Sequence, residues 1–114
     1  MMKTGDYIRS RRRERGLSLR SLAFKSGISP PYLSAVERNK IGPPSVRLLT
    51  RIAEVLGINP DTLIIMAGKL PPDVEMLIKR FPFEMCDIIR YVGGLQPDER
   101  AHLINDIVES QNMV

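Results

Sequence analysis

The chain has 114 residues, 43% of them apolar, and a formal charge of +4. That length and composition fit one small globular domain with an appendage and argue against disorder throughout. No run reaches the roughly 18 apolar residues of a membrane span, the arginine-rich N-terminus offers no secretory signal, and Cys86, the only cysteine, permits neither an internal disulfide nor a cysteine metal cluster.

The first helix is expected from about Asp6 to Arg15, stopped by Gly16. Its Arg9, Arg11, Arg12, Arg13 and Arg15 spread around the cylinder, so a solvated face accounts for most of them, with one or two as candidates for phosphate contact. Leu17 to Lys40 then holds two short helical patterns, each with its own start signal. Ser18 and Ser29 are hydroxyl residues placed to accept a hydrogen bond from an otherwise unpaired backbone N–H. Helix 2 is expected over Leu19–Ser26 and helix 3 from Pro30 to about Arg38. Gly27 takes the left-handed position that ends the first, and Ile28 plugs the gap in the three-residue turn. Leu19, Leu22 and Ala23, like Leu33 and Val36, recur at helical spacing, so each helix has one apolar face that needs a partner. Two helices joined by so short a glycine turn meet at a steep angle, the geometry that lets the second enter a DNA major groove.

Asn39–Pro44 reads as a loop. Ser45 caps a fourth helix whose Leu49, Ile52, Ala53 and Leu56 follow the 3.6 period up to Gly57. Asn59 caps a fifth, with Pro60 in the first position, where a missing N–H is harmless, and Gly68 at the end. The paired prolines of Lys69–Pro72 form a seam. Beyond it, Val74, Leu77 and Ile78 mark a short helix, Phe81-Pro82 a break, and Met85, Ile88, Ile89 and Val92 a second helix stopped by Gly93-Gly94. Pro97-Asp98-Glu99 opens a last helix striped by Leu103, Ile104, Ile107 and Val108. Cys86 is expected as a small buried hydrophobe beside Met85 and Ile88, Phe83 and Tyr91 as core or interface aromatics, and His102 as a surface or interface side chain.

The seam also divides the charge. Residues 1–69 carry 13 Lys and Arg against 5 Asp and Glu, net +8, whereas residues 70–114 carry 4 against 8, net −4. A basic half supplies the footprint that phosphate neutralisation needs, and an acidic half should point away from a duplex. The 45 residues of 70–114 are too few for an independent core, so their apolar stripes should be covered, best by a second copy of the segment. Such a homodimer would set two reading helices roughly 34 Å apart, one DNA turn. The expected fold is all-α, a five-helix bundle over 1–69 followed by a small helical dimerisation region over 70–114.

The segments GLSLRSLAFKSGISPPYLSAVERNK and PPSVRLLTRIAEVLGINPDTLI resemble the lambda-repressor-like, or xenobiotic-response-element, helix-turn-helix family of bacterial and phage regulators. The resemblance runs from about Tyr7 to Ala67 and rests on Leu22-Ala23, Gly27, Tyr32-Leu33-Ser34, Glu37-Arg38 and Pro44-Ser45. It implies a dimeric transcriptional repressor on an inverted-repeat operator of double-stranded DNA. It assigns the helix front at Ser18, with Arg20, Arg38, Lys40 and Ser34 or the Tyr32 hydroxyl, to backbone phosphate. Pro30, Pro31 and Ala35 fall at base-facing positions, with Tyr32 close by, Ser29 capping the reading helix, and Asn39 or Lys40 within reach from the loop. It also pairs Arg12 with Glu37. Where relatives carry Gln, Arg, Ser or Asn, this chain has Leu19, Pro30, Pro31 and Ala35, which leaves thymine methyl groups and DNA shape as the features to read.

No glycine-rich phosphate loop, metal-ligand spacing or nucleophile–base set is present, so neither an enzyme nor a cofactor is expected. The other reading is a protein-interaction module or antitoxin that keeps the fold, inactivated by a regulatory partner or a metallopeptidase cutting near Gly93-Gly94 or Lys69-Leu70. No membrane partner is expected, and the cytoplasm is the expected compartment.

Overall fold

The computed structural model describes residues 2–112. Among them are eight helices: α1 (Thr4–Glu14), α2 (Leu19–Ser26), α3 (Pro30–Glu37), α4 (Val46–Leu56), α5 (Pro60–Met66), α6 (Pro72–Arg80), α7 (Pro82–Gly93) and α8 (Pro97–Asn112). No strand occurs among the described residues, so the all-α expectation holds. The chain divides into two compact units, one ending at Pro72 and the other beginning at Asp73.

Local hydrogen bonds set most helix ends in the first unit. The Ser18, Ser29 and Ser45 hydroxyls accept from the N–H groups of Ser21, Tyr32 and Leu48 at 3.0, 3.2 and 3.2 Å, and the Asn59 side chain accepts from Asp61 N at 2.9 Å. Gly27 adopts φ 73°, a left-handed value that a side chain resists, and the Ile28 N–H behind it returns to the Ala23 carbonyl at 3.0 Å. Ile28 is half-buried against the core.

The start of α1 differs from the sequence reading. The helix begins at Thr4 rather than Asp6, its N-cap Lys3 makes no side-chain cap bond, and the buried Gly5 lies inside it. The missing cap comes from far along the chain: Asn39 Oδ1 accepts from the Gly5 N–H at 3.0 Å, and Asn39 Nδ2 donates to Asp6 Oδ1 at 3.2 Å. A Cβ on Gly5 would overlap the carbonyl oxygens of Val36 and Glu37, so only glycine lets α1 approach the end of α3 this closely.

Helix α1 packs on α3, α2 on α3 and α4, and α4 on α5. Ile8, Leu22, Leu33, Leu49, Ile52, Leu56 and Leu63 are fully buried at the centre. Each such side chain contributes about 1.5–3 kcal/mol when withdrawn from water. These residues come from all five helices, so no one of them is stable alone.

The second unit has a different character, since no residue of α6, α7 or α8 is buried. Arg100 of α8 ties α8 to the end of α7, donating from Nε to the Val92 carbonyl at 3.0 Å and from Nη2 to the Leu95 and Gly93 carbonyls at 2.7 and 3.3 Å. One guanidinium thereby closes the end of α7, where carbonyls lack helical partners. Glu99 accepts from the Gln96 N–H at 3.1 Å, the reciprocal half of a capping box at the start of α8. Ile88, Ile89, Ile104, Ile107 and Val108 are left exposed, as are Phe83 and Tyr91, which are therefore not core aromatics. Cys86 is half-buried, not the buried hydrophobe expected, on a helix that buries none of its residues. His102 is exposed.

Candidate nucleic-acid interface

The helix-turn-helix stands on an ion pair whose carboxylate is buried and whose guanidinium is half-buried. Glu37, at the end of α3, has a side chain 4% exposed, and Arg12 of α1 grips it with two parallel bonds, Nε to Oε2 at 2.7 Å and Nη2 to Oε1 at 2.9 Å. Arg12 spends its third donor on the Leu17 carbonyl at 3.0 Å, in the linker just before α2. A planar guanidinium in contact with two chain segments fixes three elements at once, α1, α3 and the entry to α2. The hydrogen bonds that Arg12 donates to Glu37 raise the Arg12 pKa above its ordinary value, against an opposing effect of burial.

On that support, α2 and α3 present the residues singled out in the sequence. Ser18, Arg20, Ser29, Pro31, Tyr32, Arg38, Asn39 and Lys40 are exposed, while Pro30, Ser34 and Ala35 are half-buried. Pro30 and Pro31 occupy the first positions of α3, where the N–H groups they lack would have no helical acceptor. Pro31 and Ala35 are four residues apart and share a row along the helix, so the row offered to a groove is apolar. Ser34 and Arg38 form the neighbouring row, with Arg38 Nε folded back on the Ser34 carbonyl at 3.3 Å.

One placement departs from the sequence reading. Both polar atoms of the Asn39 side chain bond to α1, so its role here is to cap that helix. Arg9, half-buried, and Arg13, exposed, line with Leu19, Ser34 and Arg38 a concavity of about 210 Å³ over the Arg12–Glu37 pair. Their spacing of four residues is the one signal the sequence held for this, and it does not say which helix they face. By contrast Arg11 is turned away, paired with Glu14 at 2.8 Å and stacked over the Tyr7 ring at 5.2 Å from its centroid. Phe24 of α2, 86% exposed, escaped the sequence reading altogether.

No group of three His, Cys, Asp or Glu side chains that could hold a metal ion occurs among the described residues. No helix among them is long and apolar enough to cross a membrane.

Comparison with known proteins agrees with this geometry. A helix-turn-helix family profile matches residues 8–63. The transcriptional repressor RghR of Bacillus subtilis is 33% identical over 107 residues, covering 93% of this chain and 77% of its own. The regulator SinR of Bacillus subtilis, solved in complex with DNA, aligns at 40% identity and a TM-score of 0.50 over 53% of this chain and 95% of that one. The SinR–SinI protein complex aligns at 27% identity and a TM-score of 0.53, covering 96% of this chain and 98% of the matched chain. The chain spans about half the length of the first curated relatives it matches. The matched segment contains the capped α2, the Gly27 turn, α3 and the Arg12–Glu37 pair that fixes them, and the chain belongs to the lambda-repressor-like helix-turn-helix family of transcriptional regulators.

Proposed function

We propose that the chain is a dimeric repressor that binds an inverted-repeat operator in double-stranded DNA, with α3 in the major groove. The observation that carries this is the exposed front of α3, held rigid by Arg12–Glu37 and bordered by Arg20, Arg38 and Lys40. Ser18, Arg20, Ser34, Arg38, Lys40 and the Tyr32 hydroxyl contact backbone phosphate, and Pro30, Pro31 and Ala35 face base edges. A reading row without amides or guanidinium groups favours thymine methyl groups and DNA shape. A regulator acting on genomic DNA works in the cytoplasm, and no catalytic step enters this reading.

Residues 70–114 supply the dimer. This is supported by the exposed Ile88, Ile89, Ile104, Ile107 and Val108, on helices that bury no residue of their own. Release from DNA would then follow from covering or cutting that segment, by a regulatory protein or by a peptidase at Gly93-Gly94. SinR, a relative, has been solved with SinI, which supports the first route.

Selection of bound duplexes from a random pool tests the whole reading. A recovered palindrome with half-sites about one turn apart is the expected result. A folded protein that binds no duplex even at low salt would overturn it and leave the alternative of a protein-interaction module, for which the exposed Phe24 is the observation in favour.

A further inference from the structure

The concavity between α1 and α3 has a composition that a merely solvated face does not need. Arg9 and Arg13 of α1 and Arg38 of α3 line it, together with Ser34 and Leu19. Among the described residues no carboxylate lies within 4 Å of any of these three guanidinium groups. Both oxygens of Glu37 bond to Arg12 and Glu14 pairs with Arg11, while Asp6 takes one bond from the neutral Asn39 amide and keeps its charge. The floor is thus an ion pair neutral in itself, and around it stand three arginines that form no ion pair, two of which, Arg9 and Arg13, also line a groove with Asp6 and Glu14. Concentrating like charge costs free energy, which an anion seated among the guanidinium groups would offset.

We propose that this concavity is a phosphate clamp, in which Arg9 and Arg13 join Arg38 and Ser34 on one phosphodiester of the operator backbone. The inference rests on the DNA-binding reading and adds α1 to the interface. Its position follows from α3: Ser34 and Arg38 lie in the row beside Pro31 and Ala35, so a groove that receives the latter row brings its bordering strand over the former. Arginine suits the task because its planar donors can grip phosphate oxygens in pairs. The Arg12–Glu37 bonds keep α1 and α3 at a fixed separation, so the clamp is formed before DNA arrives.

The test uses the full chain and a duplex recovered by selection with it, scanned by replacing one phosphate at a time with a neutral methylphosphonate. The double variant Arg9→Gln with Arg13→Gln should lower the slope of log affinity against log salt by about 0.9 per protomer, so that going from 50 to 200 mM salt costs it about 3.5-fold less per protomer than it costs the original chain. At one position in each half-site, methylphosphonate should weaken the original chain markedly more than the variant, which keeps only Arg38 and Ser34 on that phosphate. Arg9→Lys with Arg13→Lys should keep the slope, and Arg90→Gln, which removes a charge from α7, should change neither reading. Retention of the full slope and of every methylphosphonate penalty by the Gln variant would overturn the clamp while leaving DNA binding intact. Failure of the original chain to bind any duplex would instead overturn the DNA reading, and the clamp with it.

Discussion

Replacing Glu37 by alanine should be among the most damaging single changes to the first unit. The substitution leaves the Arg12 guanidinium in place, its side chain 12% exposed, with two of its three protein hydrogen bonds gone and only the Leu17 carbonyl remaining. A charge stranded in that way costs about 3–5 kcal/mol, whereas replacing both partners by apolar residues of similar volume is neutral or even stabilising by about 1–4 kcal/mol. Glu37→Ala should therefore unfold at a much lower urea concentration than the original chain, and Arg12→Met with Glu37→Leu should recover most of the loss. Far-ultraviolet circular dichroism against urea measures both, provided the slope of the transition is unchanged. The Arg12 pKa is raised, so its contribution is complete below the unfolded value and is lost only as pH climbs through the still higher folded value. The cost of Glu37→Ala should accordingly be the same at about pH 7 and about pH 9. A cost below about 1 kcal/mol, the range of an exposed pair, would refute the claim that burial makes this contact matter. So would a double variant as unstable as the single one.

Three further outcomes follow from the same geometry. Gly5→Ala should cost about 1–3 kcal/mol, seen as a lowered melting temperature, because the added methyl meets backbone carbonyls of α3 that cannot step aside. Asn39→Ala should cost about 1–2 kcal/mol by removing the cap on Gly5 and placing alanine at φ 56°; Asn39→Gly, which tolerates that φ, should cost less, and the difference in urea midpoints measures the backbone share. Ile104→Asp with Ile107→Asp should leave the melting of the first unit unchanged and shift the sedimenting species from dimer to monomer, whereas a dimer that survives both changes would rule out this face as the interface.

What was legible in the sequence is what is local in it. Ser18, Ser29, Ser45 and Asn59 each cap a helix through an N–H two or three residues away, and Gly27 ends α2 from within the turn, so the bounds of α2 and α3 and the presence of a helix-turn-helix needed no knowledge of the rest of the chain. The apolar spacing of Leu49, Ile52, Ala53 and Leu56 named the buried face of α4 in the same way. The tertiary structure decided what depends on how helices cross. The cap on α1 is supplied by Asn39, 34 residues from Gly5, so the helix starts earlier than local signals allow. That Arg9 and Arg13 border Ser34 and Arg38 follows from the packing of α1 on α3, because a spacing of four residues fixes a face but not its neighbour. Hydrogen bonds within one turn are written into the order of the residues; the closeness of two helices is a property of the core that Ile8, Leu33 and Ile52 build together, and only the folded chain brings the arginines to one place.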